Sequence, residues 1–347
     1  MTEPDAALAA RLFAALHAIG FDGTGITRES YGEGEDRALD LIEHEARAIG
    51  LRCERDAAAN LVCTLPGREP ALAAAACGSH LDSVPQGGNY DGAAGVVAGL
   101  LALRRLAATP PRRNLRLFAL RGEESAWFGR PYLGSSALFG GLGAADLATP
   151  SLHGGETLGE RLARRGVDPG PLERGERLLD PASLACFLEL HIEQGPVLVA
   201  RDLPVAIVTG IRGNFRHRAI ACHGEAGHSG AVPRWLRHDA VFATAELLVQ
   251  ADRHWQNLLA RGQDLVLTTG IIGTDPAEHA ISRIPGLVRF SFEARSESPA
   301  TLDAVHALLT EECRAIGEER GVRFVLDRRI DTPPARWRSA MSGRSSS

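Results

Sequence analysis

The stretch Cys77–Gly99, CGSHLDSVPQGGNYDGAAGVVAG, sets a histidine and an aspartate two residues apart (His80, Asp82). A glycine-rich turn follows, then a second aspartate, Asp91, at the head of a helical pattern. The apolar run Leu72–Cys77 before it, bounded by Pro70 and Gly78, predicts a short buried strand. In α/β domains, polar residues just past a strand end lie in the crevice where ligands bind. Imidazole and carboxylate together are a common ligand set for zinc. Alone, His80-x-Asp82 reads more simply as a turn histidine with two capping aspartates. Three later segments change that balance.

Outward from this stretch, strand and helix alternate. Leu8, Leu12, Ala15 and Ile19 recur at helical spacing and stop at Gly20; Leu39, Ile42, Ala46 and Ile49 do the same and stop at Gly50. Strands are predicted at Leu51–Cys53, Leu61–Leu65, Leu115–Leu120, Ala185–Leu190 and Val205–Gly210, with a buried helix from Asp91 to near Pro110. The pattern predicts a three-layer α/β domain with a mostly parallel sheet. Ala144–Pro181, rich in Gly, Pro and charge, is expected to be a surface excursion with one helix near Leu158–Arg165. From residue 212 the order becomes β-α-β-β-α-β, the ferredoxin-like order. The expected division is a catalytic domain over 1–211 and an inserted ferredoxin-like α+β domain over 212–327. The chain then runs through a connector into a small polar tail ending in SGRSSS.

Composition narrows the function classes. The 347 residues are 44% apolar and 23% charged, as in ordinary globular proteins, and the net charge of −5 is spread along the chain. No basic stripe suits nucleic acid, and no run approaches the ~18 apolar residues of a membrane helix. Six scattered cysteines without a CxxC pair suit a reducing compartment, and the acidic N-terminus does not read as a signal peptide. The expected location is cytoplasmic.

Four polar clusters fall at predicted strand ends: His80/Asp82, Asp91, Glu123-Glu124 and His191-Ile192-Glu193-Gln194. Glu123-Glu124 alone could be solvated charge, and His191 alone a satisfied core histidine. Convergence at the ends of one sheet favours chemistry. Two imidazoles, a bridging carboxylate and a further carboxylate are what two Zn²⁺ or Mn²⁺ ions about 3.5–4 Å apart require. A neighbouring free carboxylate then serves as general base.

GSHLDSVPQGGNYDGAAG, RGEESAWFG, ELHIEQGPVL and GEAGHSGAVP resemble, in order and spacing, the hydantoinase/carbamoylase family of amidases. The resemblance covers nearly the whole chain. It implies two divalent metal ions, Zn or Mn/Co/Ni, and a small ureido or carbamoyl amino acid as substrate. His80 and His191 would bind one metal, Asp91 would bridge both, Glu124 would bind the second, and Glu123 would be the base. Asp82 would orient His80. Gln194 and Ser282 match substrate-contacting positions, Ser282 standing where the family has Asn. His228 matches a lid histidine that polarises the scissile carbonyl, and Arg295 the arginine that takes the substrate carboxylate. A homodimer through the second domain is also implied. Ser125-Ala126-Trp127-Phe128 replaces the family's Gly-x-Arg-Phe. The family's late His, in a SGAGHDA-like motif, has no counterpart before Ser347. The chain is therefore expected to be C-terminally truncated, with a weak second metal site.

The leading expectation is hydrolysis of the linear C–N amide of an N-carbamoyl amino acid. Allantoate, or an N-acyl amino acid or dipeptide, is the alternative substrate. A metal-poor, inactive binding or dimerisation protein is the alternative of another class.

Overall fold

The computed structural model describes residues 3–336, so most of the expected polar tail lies outside the described residues. The chain divides into two compact units, Met1–Asp202 and Leu203–Ser347, each with a core of its own.

In the first unit, helices α1 (Asp5–Gly20) and α2 (Glu33–Ala48) turn Leu8, Leu12 and Leu16, and Ala38, Leu39 and Ile42, into the core. Strands β1 (Arg52–Arg55), β2 (Leu61–Leu65), β3 (Ala74–His80) and β4 (Leu115–Leu120) flank helix α3 (Ala93–Leu106) in the chain. With the strand Leu184–Leu188 they form one sheet, ordered β1-β2-β4-β3 and then Leu184–Leu188. β3 runs parallel to both its neighbours, while β2 is antiparallel to β1 and β4. The fold is α/β, with the parallel strands grouped where the polar clusters lie. All three helices cover one face of the sheet; Val62, Ala76 and Phe118 on the other face meet Leu138, Leu178 and Leu179.

Helix α3 lies close against the end of β3, and glycine makes that possible. A Cβ at Gly95 would stand 2.4 Å from the Leu190 carbonyl oxygen and 2.7 Å from Ser79 Cβ. β3 itself starts two residues later than the apolar run predicts and continues to His80. Gly78, at φ +151°, keeps pairing with Phe118 where a side chain would collide with its carbonyl.

The stretch 144–181 departs from expectation. It is not merely a surface excursion: Leu147, Leu158, Leu162 and Leu172 pack with Trp127, Phe128 and Leu133 in a separate buried cluster. Its helix Leu158–Arg164 begins at a capping box between Thr157 and Glu160. The apolar residues are too widely spaced in a Gly- and Pro-rich background to show a single period.

In the second unit, strands Gly213–His223 and Leu287–Ser296 form an antiparallel pair. Val266–Thr268 flanks the latter and Arg323–Val325 the former. Helices Ala240–Ala260 and Pro299–Arg320 supply Leu247, Val305 and Leu309 to a core with Phe215, Phe290 and Phe292. The apolar pattern alone predicts the first of these helices over Leu236–Gln250, and it spans Ala240–Ala260 instead. Asp239 caps it by accepting the Val241 and Phe242 amides, and Leu258 extends its buried side. Residues 205–209 form no strand; Gly210–Ile211 pairs instead with Ala335–Arg336. No described helix is long and apolar enough to cross a membrane.

Candidate metal centre

Because β3, β4 and Leu184–Leu188 point the same way, their carboxyl ends share one edge of the sheet. His80 is the last residue of β3, Glu123 and Glu124 follow β4, and His191 lies three residues past Leu188. Asp91 sits in the turn that leads into α3. The adjoining Gly92, at φ +62°, lies against His80: a Cβ there would stand 2.6 Å from two ring carbons. Only glycine accepts both that conformation and that approach.

The donors converge in two overlapping groups, His80/Asp91/His191 and His80/Glu123/Glu124, each with one ligand atom per residue within 4.8 Å of the others. His191 Nε2 is 3.2 Å from Asp91 Oδ1, and His80 Nε2 is 3.9 Å from the same oxygen. Each imidazole turns its other nitrogen to a carbonyl: His80 Nδ1 to Asp82 O at 3.1 Å, His191 Nδ1 to Ile192 O at 2.8 Å. When the rings are neutral, donation from Nδ1–H leaves the Nε2 lone pairs facing Asp91, the tautomer a metal needs. His80 Nε2 and Asp91 Oδ1 are also buried without a hydrogen-bond partner. Orphaned buried acceptors, two imidazoles and a carboxylate fit a divalent cation with an open position. Both groups draw on His80, whose Nε2 serves one ion only.

Asp82 is fully buried and joins the two halves of the centre. Its carboxylate stands 3.2 Å from His80 Nδ1 and accepts the amides of Glu123 and Glu124, each at 3.1 Å, and the Ser30 hydroxyl at 2.5 Å. Burial opposes its charge, but His80 and these donors outweigh burial and hold it below the usual carboxylate range. The converse holds for His80. Burial disfavours its cation, yet Asp82, Glu123 and Glu124 push the imidazole up to about 9. Burial, and then the neighbouring Glu123 carboxylate, raise Glu124 to about 7; burial likewise raises Glu123. A carboxylate whose pKa is raised toward neutrality suits proton transfer.

Gln194 joins this set: its Nε2 donates to Asp91 Oδ2 at 2.6 Å, from a backbone at φ +56°. Within the second unit, His228 pairs with Arg283 across a short ladder, and the Ser229 amide donates to the Ser282 carbonyl at 2.8 Å. The expected positions His228 and Ser282 are thus neighbours. Arg295, on the strand Leu287–Ser296, directs its Nε to Glu293 at 3.0 Å.

Several residues around the centre escaped the sequence reading. Glu35 and Arg121 form a buried pair at 2.6 Å, and Ser30 and Arg28 are also buried there. One signal was present. Glu35 stands in the apolar row of α2, four, seven and eleven residues before Leu39, Ile42 and Ala46, where an exposed acid would not belong.

Residues 60–154 match peptidase family M28. The N-carbamoyl-L-amino acid amidohydrolase of Geobacillus stearothermophilus is 33% identical, over 89% of this chain and 74% of that protein. The structure of a hydantoinase/carbamoylase family amidase from Burkholderia ambifaria superposes with a TM-score of 0.83 at 30% identity, over 95% of this chain and 79% of that one. The chain belongs to the hydantoinase/carbamoylase family of amidases. The family also offers an allantoate amidohydrolase from Bacillus subtilis, 30% identical over 89% of this chain and 73% of that protein. In this family member the chemistry is that of a hydrolase acting on C–N bonds other than peptide bonds.

The raised His80 pKa sets a pH dependence. Below about 9 the metal-free imidazole is protonated, and a ligand must be neutral, so binding expels a proton. Apparent metal affinity should rise about tenfold per pH unit as pH increases toward 9, with Glu124 adding to the slope below 7. Chelator-competition titrations across this range check it; a flat profile would remove His80 from the ligand set.

Proposed function

We propose that this amidase hydrolyses the linear C–N amide of N-carbamoyl amino acids. One observation carries the reading: buried, unpartnered His80 Nε2 and Asp91 Oδ1 face each other beside two acids of raised pKa. In the proposed assignment His80, His191 and Asp91 hold one divalent ion, zinc or manganese, and Asp91 and Glu124 contribute to a second site. Bound there, a divalent cation would acidify water and polarise the scissile carbonyl. Glu123 takes the proton from the attacking water and delivers it to the leaving nitrogen. Asp82 holds the His80 ring and the Glu123 amide in place. The released carbamate breaks down to CO₂ and ammonia.

Gln194 is proposed to contact the substrate from beside Asp91. In the second unit, proposed as a lid over 212–327, His228 would polarise the scissile carbonyl, Ser282 would make a shortened substrate contact and Arg295 would bind the substrate carboxylate. Allantoate is the second reading, favoured by the allantoate amidohydrolase relative; kinetics on both substrate types separate the two. The scattered cysteines support a cytoplasmic location, which cell fractionation tests.

Glu123→Gln should lower kcat by roughly 10²–10⁴ while metal content stays at the parent level. Near-normal turnover in that variant would sink the base assignment. Arg295→Lys keeps the charge but loses the two-pronged geometry, so KM should rise with metal content unchanged. If it lowers thermal stability and leaves KM alone, its pair with Glu293 is merely structural. A homodimer through the second unit belongs to the same reading, supported by Phe242 and Val249 on the exposed side of helix Ala240–Ala260. Light scattering should return twice the chain mass, and a monomer at assay concentration removes the dimer.

A further inference from the structure

We propose that the segment 28–35 is a positioning strap, in which Ser30 and Glu35 set the two halves of the metal centre relative to each other. The proposal rests on the metal-centre reading above. The halves sit on separate loops, His80–Asp82 after β3 and Gly122–Glu124 after β4, and a divalent ion tolerates little error between them. Three consecutive amides of the second loop donate to carboxylates. Gly122 N donates to Glu35 Oε1 at 3.0 Å, and the next two donate to Asp82. The other oxygen of Glu35 accepts Arg121 Nε at 2.6 Å and the Tyr31 amide at 2.7 Å.

The same segment grips the first loop. Ser30 Oγ donates to Asp82, Arg28 Nε donates to the Leu81 carbonyl at 2.5 Å, and the Arg28 backbone exchanges hydrogen bonds with Ser83. Arg28, Ser30 and Glu35 are all fully buried. Stability alone does not call for them, because apolar residues of similar volume in place of buried charges are often as stable or more so. What apolar residues cannot do is accept the amide of Gly122, whose φ of +59° defines the turn presenting Glu123 and Glu124. Ser30 and Glu35 touch neither substrate nor reacting atoms; they act through Asp82 and the Gly122 amide.

Ser30→Ala and Glu35→Gln test this, each compared with the parent for melting temperature, Zn²⁺ affinity by chelator competition, and kcat and KM on an N-carbamoyl-L-amino acid. A glutamine at 35 has one acceptor for three donors. Its oxygen satisfies two by facing Arg121 and Tyr31, which turns its NH₂ toward the Gly122 amide. Changes in residues that orient metal ligands cost about 10–100-fold in affinity or activity. Ser30→Ala is expected to lose Zn²⁺ affinity in that range with its melting temperature near the parent's. Glu35→Gln is expected to lose kcat in that range with KM little changed. Unchanged Zn²⁺ affinity and kcat in both folded variants overturn the strap, as do losses that merely track the unfolded fraction. If Glu35→Gln does not fold, Ser30→Ala decides. A parent chain that binds Zn²⁺ but cleaves no carbamoyl amino acid overturns the substrate reading, while the Zn²⁺ titration of Ser30→Ala still decides the strap.

Discussion

The Asp82 carboxylate is the constraint around which the first unit is arranged. It lies entirely out of water and is answered from three directions: the His80 ring, the Ser30 hydroxyl and two successive amides of the β4 loop. A buried carboxylate short of partners would carry a large penalty. Each partner is therefore held by the fold as firmly as it holds Asp82. Parallel β3 and β4 bring the two loops to one edge, glycines let α3 close over β3, and the segment before α2 closes the remaining side.

The same crowding explains the electrostatics. Asp82, Glu123 and Glu124 surround one buried imidazole, so the cation at His80 is favoured and the glutamates are reluctant to ionise. Without a metal, protons held on His80 and the glutamates reduce the negative charge of the cluster. A divalent cation answers the same excess of negative charge, which places proton and metal in competition for one set of atoms. Such a site trades some stability for chemistry, as strained or uncompensated groups at functional positions commonly do.

Much of this was legible along the chain. β2 and β4 fall on their predicted residues, and α1 and α2 end where Gly20 and Gly50 suggest, because apolar periodicity and glycine stops are local signals. His80, Glu123, Glu124 and His191 were visible because each lies at or just past the end of an apolar strand, and Asp91 because it heads a helical pattern. Less visible were the buried cluster around Leu158 and Leu162, whose members lie far apart in a polar background, and the true span of the helix Ala240–Ala260. The cluster was decided by packing against residues distant in sequence, whereas the start of the helix was set by the Asp239 cap and its end by burial of Leu258.

What the sequence determined by itself was the frame of the first unit, its covering helices and the strands of its sheet to within a few residues, and which side chains stand beside strand ends. Local periodicity and a few short motifs carry that information, and the family resemblance rests on the same residues. Tertiary structure alone decided that Ser30 and Glu35, 52 and 87 residues away from their partners, complete the surroundings of the centre. No local pattern encodes a contact across such separations. A lone serine carries no signal and a glutamate in an apolar row signals only burial; the partner of each is fixed when folding removes it from water.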